Sequence, residues 1–192
     1  MHLPRIFPIS PNIENSEDLN RLLKLCVSHK YNVIQFRMKE LSPENQLIQL
    51  MNAEEMCLNL KIELVINSYH LPINRTKAKV LHLTSGDLMK FEKDNIPNFS
   101  TIGASCHNAN EVHKANELNL DYIFISPVLR TDSHSNSLPL GWHGFQKLSA
   151  LTKIPSYSLG GMKILDLEKG KKKGAIGIAG ISLNQFKKTI NL

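Results

Sequence analysis

Short apolar segments alternate with longer amphipathic segments along the whole chain. Eight of the short segments predict β-strands, at residues 6–9, 33–36, 62–66, 80–83, 101–104, 122–125, 156–159 and 175–178. They are continuous apolar runs, which is typical of parallel strands that are covered on both faces. Eight strands that alternate with helices predict an α/β protein, a compact (β/α)8 TIM barrel formed by one domain over residues 1–192.

The segments between the strands contain helix start signals. Ser42 and Pro43 predict an N-cap followed by the first residue of a helix. Asn108 and Glu111 resemble a capping pair. Apolar residues at three-residue spacing between positions 109 and 118 predict a helical face that packs against the sheet.

Two connections differ from this pattern. Residues 69–79 leave room for only a short helical turn or an irregular segment. Residues 127–138 form a long polar loop rich in Ser, Asp, Asn and Thr, and loops of this length in a compact domain are usually functional or mobile.

Composition and charge exclude several classes of protein. Hydrophobic residues make up 42% and charged residues 21% of the chain, which is ordinary for a globular protein. The net charge is +6, but the densest basic cluster, residues 169–173, falls at the end of a predicted helix, where cations meet the negative end of the helix dipole. Aromatic residues are only 6% and do not alternate with basic ones as a stacking surface would require. We therefore expect no nucleic-acid partner.

The sequence also predicts the compartment. No apolar run approaches the roughly 20 residues of a transmembrane helix, and residues 1–7 lack the features of a secretory signal. We expect a soluble cytoplasmic protein with no membrane partner. Cys26, Cys57 and Cys106 are far apart and form no Cys-x-x-Cys pair, which predicts free thiols and a buried, unreactive Cys106.

In such barrels the chemistry lies on the segments that follow the strands, because these segments meet at one end of the barrel. Gln35, Arg37 and Lys39 alternate at the end of strand two and therefore project to one side. Gln and Arg side chains that face a barrel interior need a partner, and an anion is the partner that suits them. We interpret these three residues as substrate-binding.

Glycines follow strands seven and eight. Gly160 and Gly161 let the backbone approach a ligand without an intervening side chain. Gly180, Ile181 and Ser182 open the last predicted helix. Many barrels bind phosphate at this place with backbone N–H groups and a helix N-terminus, so we predict a phosphate site here.

One histidine stands out among eight. Ser105 and His107 lie after strand five, directly before a helix, where an imidazole can exchange a proton near neutral pH. His113 fits a helix surface, whereas His82 lies nearer the expected mouth. Asp87 is the acidic residue at the mouth that we nominate for magnesium, although one carboxylate makes a poor site. The sequence contains no catalytic triad order, Walker loop, zincin helix or dinucleotide fingerprint at its required position.

These segments, in this order, resemble the thiamine-phosphate synthase and TenI superfamily over essentially the whole chain. The matching positions are Gln35, Arg37 and Lys39 in a Gln-x-Arg-x-Lys strand, Asn67 in an Asn-Asp pair, Ser105 and His107 in a Ser-x-His motif, Thr131 and Ser133 in a Pro-Val-x-x-Thr-x-Thr-Lys loop, and residues 160–162 and 179–182 in a thiazole-phosphate cradle. The resemblance implies a barrel that binds a small phosphorylated thiazole or pyrimidine.

The synthase branch of this superfamily uses magnesium, which two carboxylates hold. The metal helps pyrophosphate to leave a hydroxymethylpyrimidine, and thiazole phosphate captures the resulting cation. In this chain the first carboxylate position is Ser68, the second is Asp87, and the loop lysine is replaced by His134. These departures remove charged groups that would stabilise a pyrophosphate.

The TenI branch moves a proton on a thiazole carboxylate phosphate without a metal, using the histidine of the Ser-x-His motif as acid and base. The resemblance places this role on His107 and lets Arg37 or Lys39 hold the substrate carboxylate. Residues 127–142 most resemble TenI-like domains fused behind Nudix hydrolases.

Three hypotheses of different classes therefore stand beside one another. The first is a TenI-like thiazole tautomerase, an isomerase without a cofactor. The second is a magnesium-dependent thiamine-phosphate synthase, a transferase. The third is a non-catalytic module that binds a phosphorylated ligand. The sequence leaves the true ligand and a homo-oligomer open.

Overall fold

Eight parallel strands form one sheet that curls into a barrel. The structure is a computed structural model, and it describes residues 2–37, 41–68, 76–92, 99–131, 138–181 and 183. The strands are β1 (Ile6–Pro8), β2 (Val33–Phe36), β3 (Glu63–Asn67), β4 (Val80–Leu83), β5 (Thr101–Cys106), β6 (Tyr122–Ile125), β7 (Ser156–Leu159) and β8 (Gly177–Gly180). Their order in the sheet is β1-β8-β7-β6-β5-β4-β3-β2, which brings β1 back beside β2. The predicted barrel is confirmed.

Ser10 connects β1 to β2 by hydrogen bonds at the carboxyl ends of these strands. Its backbone N–H donates to the carbonyl of Gln35 at 2.8 Å, next to an isolated bridge between Ile9 and Gln35. The Ser10 hydroxyl accepts from the N–H of Arg37 at 2.8 Å and lies 3.2 Å from the Arg37 carbonyl, to which it donates. The backbone that carries Gln35 and Arg37 is therefore held where the barrel closes.

Within the described residues, six helices cover the outside of the barrel. They are α1 (Ser16–Ser28), α2 (Pro43–Leu60), α3 (Ser85–Lys90), α4 (Ala109–Glu117), α5 (Gly141–Ser149) and α6 (Leu167–Lys172), and a 3-10 turn (Ile164–Asp166) precedes α6. Ser42 caps α2 by accepting from the N–H of Asn45, and Asn108 caps α4 by accepting from the N–H of Glu111. Both predicted helix starts are confirmed.

Other predictions about the helices also agree with the structure. On α4, Val112 and Ala115 are buried in the core and Leu118 packs against it, so the predicted apolar stripe faces the sheet. The basic cluster at 169–173 covers the last turn of α6. Among the described residues, no helix combines the length and the apolar character that crossing a membrane requires. The predicted irregular connection at 69–79 lies mostly outside the described residues.

The prediction for strand eight was wrong by two residues. β8 runs from Gly177 to Gly180, whereas the apolar run at 175–178 predicted an earlier strand. A Cβ on Gly177 would lie 2.3 Å from the carbonyl oxygen of Arg5 and 2.9 Å from the ring of Tyr157. The strand therefore uses glycine where its neighbours approach closely, and sequence hydrophobicity does not report this constraint.

β3 and β5 both extend further than the sequence predicted. β3 begins and ends one residue later than the predicted range of 62–66, and β5 ends two residues after the predicted range of 101–104. Asn67 and Ser105 are therefore strand residues and not loop residues. Both are polar, and polarity ended the predicted strands too early because side chains at the mouth of a barrel need not be apolar.

Four aromatic rings fill the centre of the barrel. Phe7, Tyr122, Phe124 and Tyr157 are fully buried, and their ring centroids lie 5.0 to 6.2 Å apart. We call these four residues the aromatic plug. Gly103 makes room for it, because a Cβ at this position would lie 2.2 Å from Cζ of Tyr122.

Two further apolar clusters join the sheet to the helices. One lies under α1 and α2 and includes Cys26 and Cys57, and the other lies under α3 to α6 and includes Cys106. All three thiols are free and buried, and burial raises the pKa of each to about 12. The predicted burial of Cys106 is confirmed.

The aromatic plug yields a stability prediction. We expect Gly103→Ala to lower the free energy of unfolding by about 1–3 kcal/mol, because the new methyl group overlaps the Tyr122 ring in a filled interior. Gly86→Ala is the matched control: nothing lies within 4 Å of its Cβ position on α3, so alanine should be neutral or should stabilise by up to about 1 kcal/mol. Urea unfolding followed by circular dichroism measures both, and equal effects would contradict a tightly packed plug.

Candidate functional site

A pocket of about 210 Å³ opens at the carboxyl ends of the strands. It lies above the aromatic plug, at the end of the barrel where the sequence predicted chemistry. The pocket brings together ten of the residues predicted from the sequence: Gln35, Arg37, Asn67, Ser105, His107, Thr131, Gly160, Gly161, Gly180 and Ile181. Lys39, Ser133, His134 and Ser182 were also predicted, and they lie outside the described residues.

Gln35 and Arg37 line the pocket from β2 and from the residue that follows it. Gln35 is only 2% exposed, and its Nε2 has no hydrogen-bond partner among the described residues. A buried N–H group without a partner is costly, so a ligand that brings an acceptor atom gains from this position. The guanidinium of Arg37 keeps its charge at any physiological pH and adds attraction for an anion.

The glycines after β7 have a packing role that the sequence did not reveal. Gly160 and Gly161 have φ values of +95° and +67°, which favour glycine. A Cβ on Gly160 would lie 2.8 Å from Cα of Pro127, and one on Gly161 would lie 2.5 Å from the carbonyl oxygen of Arg130. The two glycines therefore also let the loop after β6 pack against the end of β7.

The predicted phosphate site is only partly described. Gly180 is the last residue of β8 and Ile181 follows it, and both line the pocket beside Gly160 and Gly161. The sequence predicted that Gly180 follows the strand and opens the last helix, but Gly180 lies within the strand because β8 begins two residues later than predicted. The helix predicted after strand eight lies outside the described residues.

His107 lies at the edge of the pocket with one ring nitrogen already used. Its Nδ1 is 2.7 Å from the carbonyl oxygen of Ser126 and 3.3 Å from the Ser126 hydroxyl. A carbonyl oxygen only accepts, so Nδ1 carries a proton, and in the neutral ring the lone pair lies on Nε2. Among the described residues Nε2 has no partner, which leaves this nitrogen to take a proton from a ligand.

The buried carboxylate of Glu111 fixes the segment that carries His107. It accepts from the backbone N–H of His107, from Asn108 Nδ2 at 2.8 Å and from the Ser85 hydroxyl at 3.2 Å. These bonds tie the start of α4 to the start of α3. These hydrogen bonds therefore fix the backbone position of His107. A group that exchanges a proton with a substrate needs such a fixed position.

The described residues do not fit the magnesium site that the resemblance implies. Asp87 Oδ2 accepts from the hydroxyl of Ser68 and, at 2.6 Å, from that of Thr84. Two hydroxyl protons thus point at the oxygen that a cation would need, and Ser68 brings no negative charge of its own. Within the described ranges, no three His, Cys, Asp or Glu side chains are grouped as a metal would require. Asp87 is exposed, and the pocket lining includes Thr84 and Ser85 instead.

His82 lies beneath the mouth and not in it. The ring is fully buried between the plug and the pocket, with Nε2 2.9 Å from the Ser105 hydroxyl and Nδ1 3.2 Å from the Tyr122 hydroxyl. Burial lowers its pKa to about 3, so the ring is neutral at physiological pH. Ser105, in contrast, is half-buried and lines the pocket.

Sequence reasoning missed several polar residues at or near the site. Ser10, Thr84 and Ser85 each lie one or two residues after a strand, so the rule that polar residues after strands are candidates would have found them. Tyr122 gave no comparable signal, because a tyrosine within an apolar strand is ordinary core.

Comparisons with known proteins identify related chains over nearly the whole length of this one. The family model described as thiamine monophosphate synthase (TMP-TENI) matches residues 6–183. A protein of Aquifex aeolicus provisionally named thiamine-phosphate synthase 2 is 27% identical over 184 residues, which cover 95% of this chain and 98% of that protein. The thiamine-phosphate synthase of Fusobacterium nucleatum is 24% identical over 169 residues, which cover 88% of this chain and 82% of that protein.

A solved structure shares the fold. Thiamine phosphate pyrophosphorylase from Pyrococcus furiosus superposes with a TM-score of 0.71 at 20% identity, over 94% of this chain and 90% of that chain. The family model covers nearly the whole chain, from β1 to the residues that follow β8. The chain therefore belongs to the thiamine monophosphate synthase family.

Proposed function

We propose that this chain binds a phosphorylated thiazole and moves a proton on its ring without a metal ion, as the TenI-like members of the family do. The observation that carries this proposal is the hydrogen bond from His107 Nδ1 to the Ser126 carbonyl at 2.7 Å. It fixes the tautomer in which Nε2 is a base, and it does so at the edge of the pocket.

The charge of the pocket supports an anionic ligand. Arg37 and the unpartnered amide of Gln35 offer donors on one side. Among the described residues that line the pocket, none is a carboxylate. A ligand with a phosphate and a carboxylate therefore meets attraction from these residues without repulsion from its surroundings.

The proposed reaction is an isomerisation in which no atom is gained or lost. His107 Nε2 takes a proton from one position of the heterocycle and becomes an imidazolium, and the electron pair of the broken bond stays in the ring system. The imidazolium then returns the proton at a second position. Arg37, which lines the pocket, stabilises the negative charge that develops between the two steps.

Replacement of His107 tests this role. We expect His107→Ala to slow the exchange of solvent deuterium into thiazole carboxylate phosphate by about 10²–10⁴-fold, the usual contribution of a positioned acid–base group. NMR in the presence of a chelator measures this exchange. His113→Ala, which removes an exposed imidazole from α4, is the matched control and should exchange at the wild-type rate.

Ligand binding separates the possible results of that experiment. Calorimetric titration with the same compound should give equal affinity for wild type and His107→Ala. Exchange that persists in His107→Ala would rule out His107 as the base. Wild-type protein that binds the compound but catalyses no exchange at all would leave the non-catalytic phospholigand module as the function.

Thiamine-phosphate synthase is the second candidate, and the names of the relatives favour it. The proteins from Aquifex aeolicus and Fusobacterium nucleatum both carry this name, and both align over more than four fifths of their own length. Synthase chemistry would make the chain a transferase that joins a pyrimidine pyrophosphate to thiazole phosphate with magnesium. The hydroxyl of Ser68 on Asp87 is the observation against it.

Restoring a carboxylate at position 68 tests the metal site. In Ser68→Asp two carboxylates adjoin, so they repel each other without a cation and share one when it is present. We expect magnesium at tenfold its dissociation constant to raise the Tm of this variant by about 3–6 °C. Ser68→Asn, which has the same shape but no charge, and the wild type should show no shift in Tm.

A coupling assay completes this comparison. Wild-type protein mixed with hydroxymethylpyrimidine pyrophosphate, thiazole phosphate and magnesium should form no thiamine phosphate above the uncatalysed rate. Magnesium-dependent product from the wild type would establish the synthase and overturn the metal-free proposal.

A further inference from the structure

Three polar groups form a chain from the centre of the barrel to the pocket. The Tyr122 hydroxyl lies 3.2 Å from Nδ1 of His82, and Nε2 of His82 lies 2.9 Å from the hydroxyl of Ser105. Tyr122 and His82 are almost completely shielded from water, with exposures of 0% and 1%, whereas Ser105 lines the pocket. The chain therefore connects a buried phenol to the place where a ligand binds.

The number of protons shared by Tyr122, His82 and Ser105 limits the direction in which their hydrogen bonds can run. A neutral His82 carries one N–H, and the hydroxyls of Tyr122 and Ser105 bring one proton each, so two hydrogen bonds leave one proton over. If Ser105 donates to His82 and His82 donates to Tyr122, the spare proton is that of the phenol. If Tyr122 donates to His82 and His82 donates to Ser105, the spare proton is that of Ser105.

The surroundings of Tyr122 decide between the two directions. Its ring packs against Phe7 and Phe124 in the aromatic plug, and among the described residues His82 is the one hydrogen-bond partner of its hydroxyl. A spare phenol proton would thus be buried without an acceptor, which disfavours the first direction by about 5- to 150-fold. The second direction leaves the spare proton on Ser105, which faces the pocket.

We propose that Tyr122 and His82 fix the hydroxyl of Ser105 as a hydrogen-bond donor to the bound ligand. The pocket then selects a ligand that presents an acceptor here, such as a carboxylate oxygen or an unprotonated ring nitrogen, and disfavours one that presents an N–H or O–H group. This inference rests on the proposed function only in that the pocket binds a ligand.

The construction of the barrel keeps this direction constant. His82 is neutral at physiological pH, so the chain gains no further proton that could reverse it. Gly103 leaves the space that the Tyr122 ring needs beneath His82. Tyr122 and His82 act through Ser105 and are positioning residues, whereas Ser105 contacts the ligand.

NMR of ¹⁵N-labelled histidine tests the direction without any ligand. The two ring nitrogens of His82 report which of them carries the proton, and contact with the Phe124 ring, whose centroid lies 4.3 Å away, assigns the signal. We expect the proton on Nε2 in the wild-type protein. A proton on Nδ1 would overturn the proposal.

Two tyrosine variants test whether Tyr122 sets the tautomer of His82. Tyr122→Phe removes the phenol proton and keeps the ring, so the two His82 tautomers should coexist. Tyr157→Phe is the matched control. The Tyr157 ring belongs to the same aromatic plug, but its hydroxyl donates to the Pro4 carbonyl at 2.7 Å and has no bond to His82. It should retain the proton on Nε2. A tautomer that is unchanged in Tyr122→Phe would overturn the role of Tyr122.

Substitution of Ser105 tests the contact with the ligand. We expect Ser105→Ala to weaken the binding of thiazole carboxylate phosphate by about tenfold, as loss of a hydrogen bond to a charged acceptor does, and Ser105→Thr to retain the affinity. Equal losses in both variants would overturn donation to the ligand. Because the tautomer is measured without substrate, failure of proton exchange at His107 leaves this proposal intact, and the wrong tautomer leaves the proposed reaction intact.

Discussion

The aromatic plug is the constraint on which the rest of the structure depends. A barrel of eight short strands encloses a space that side chains must fill, and here four rings fill most of it. Gly103 and Gly177 have no side chain, which leaves room in the strands for those rings. Because the plug ends below the mouth, it forms the floor of the pocket, and the residues at and just beyond the carboxyl ends of the strands line its walls.

The period of a β-strand made part of this site predictable. Gln35 and Arg37 lie two residues apart at the end of β2, and the general rule for barrels assigns such residues to the mouth. His107 was predictable for the same reason, as the first residue after β5. The predicted boundaries of β3, β5 and β8 failed where polar residues or glycine continue a strand, because hydrophobicity is a poor guide at a mouth that must be polar.

The rest of the site depends on register between strands. The hydrogen bond from Ser68 to Asp87 joins the end of β3 to α3, and the hydrogen bond between His82 and Tyr122 spans 40 residues. No local pattern specifies such pairs, since a shift of one residue in either strand would turn one partner to the opposite face of the sheet. The resemblance did mark Ser68 as unusual, but only the structure shows that its hydroxyl occupies the oxygen of Asp87 on which a cation would depend.

Two histidines, His82 on β4 and His107 directly after β5, differ in burial and therefore in what they can do. His82 is fully buried and neutral, so it can set the direction of hydrogen bonds but cannot exchange protons with substrate. His107 is half-buried and lines the pocket, and its Nδ1 is held by Ser126 while its Nε2 has no partner among the described residues. In the proposed reaction, one neutral ring orients a hydrogen-bond donor and a second ring moves the proton, and such a reaction on an anionic heterocycle requires no metal ion. The carboxylate missing at position 68 is consistent with that division, because without a pyrophosphate to release, a cation there would have no charge to offset.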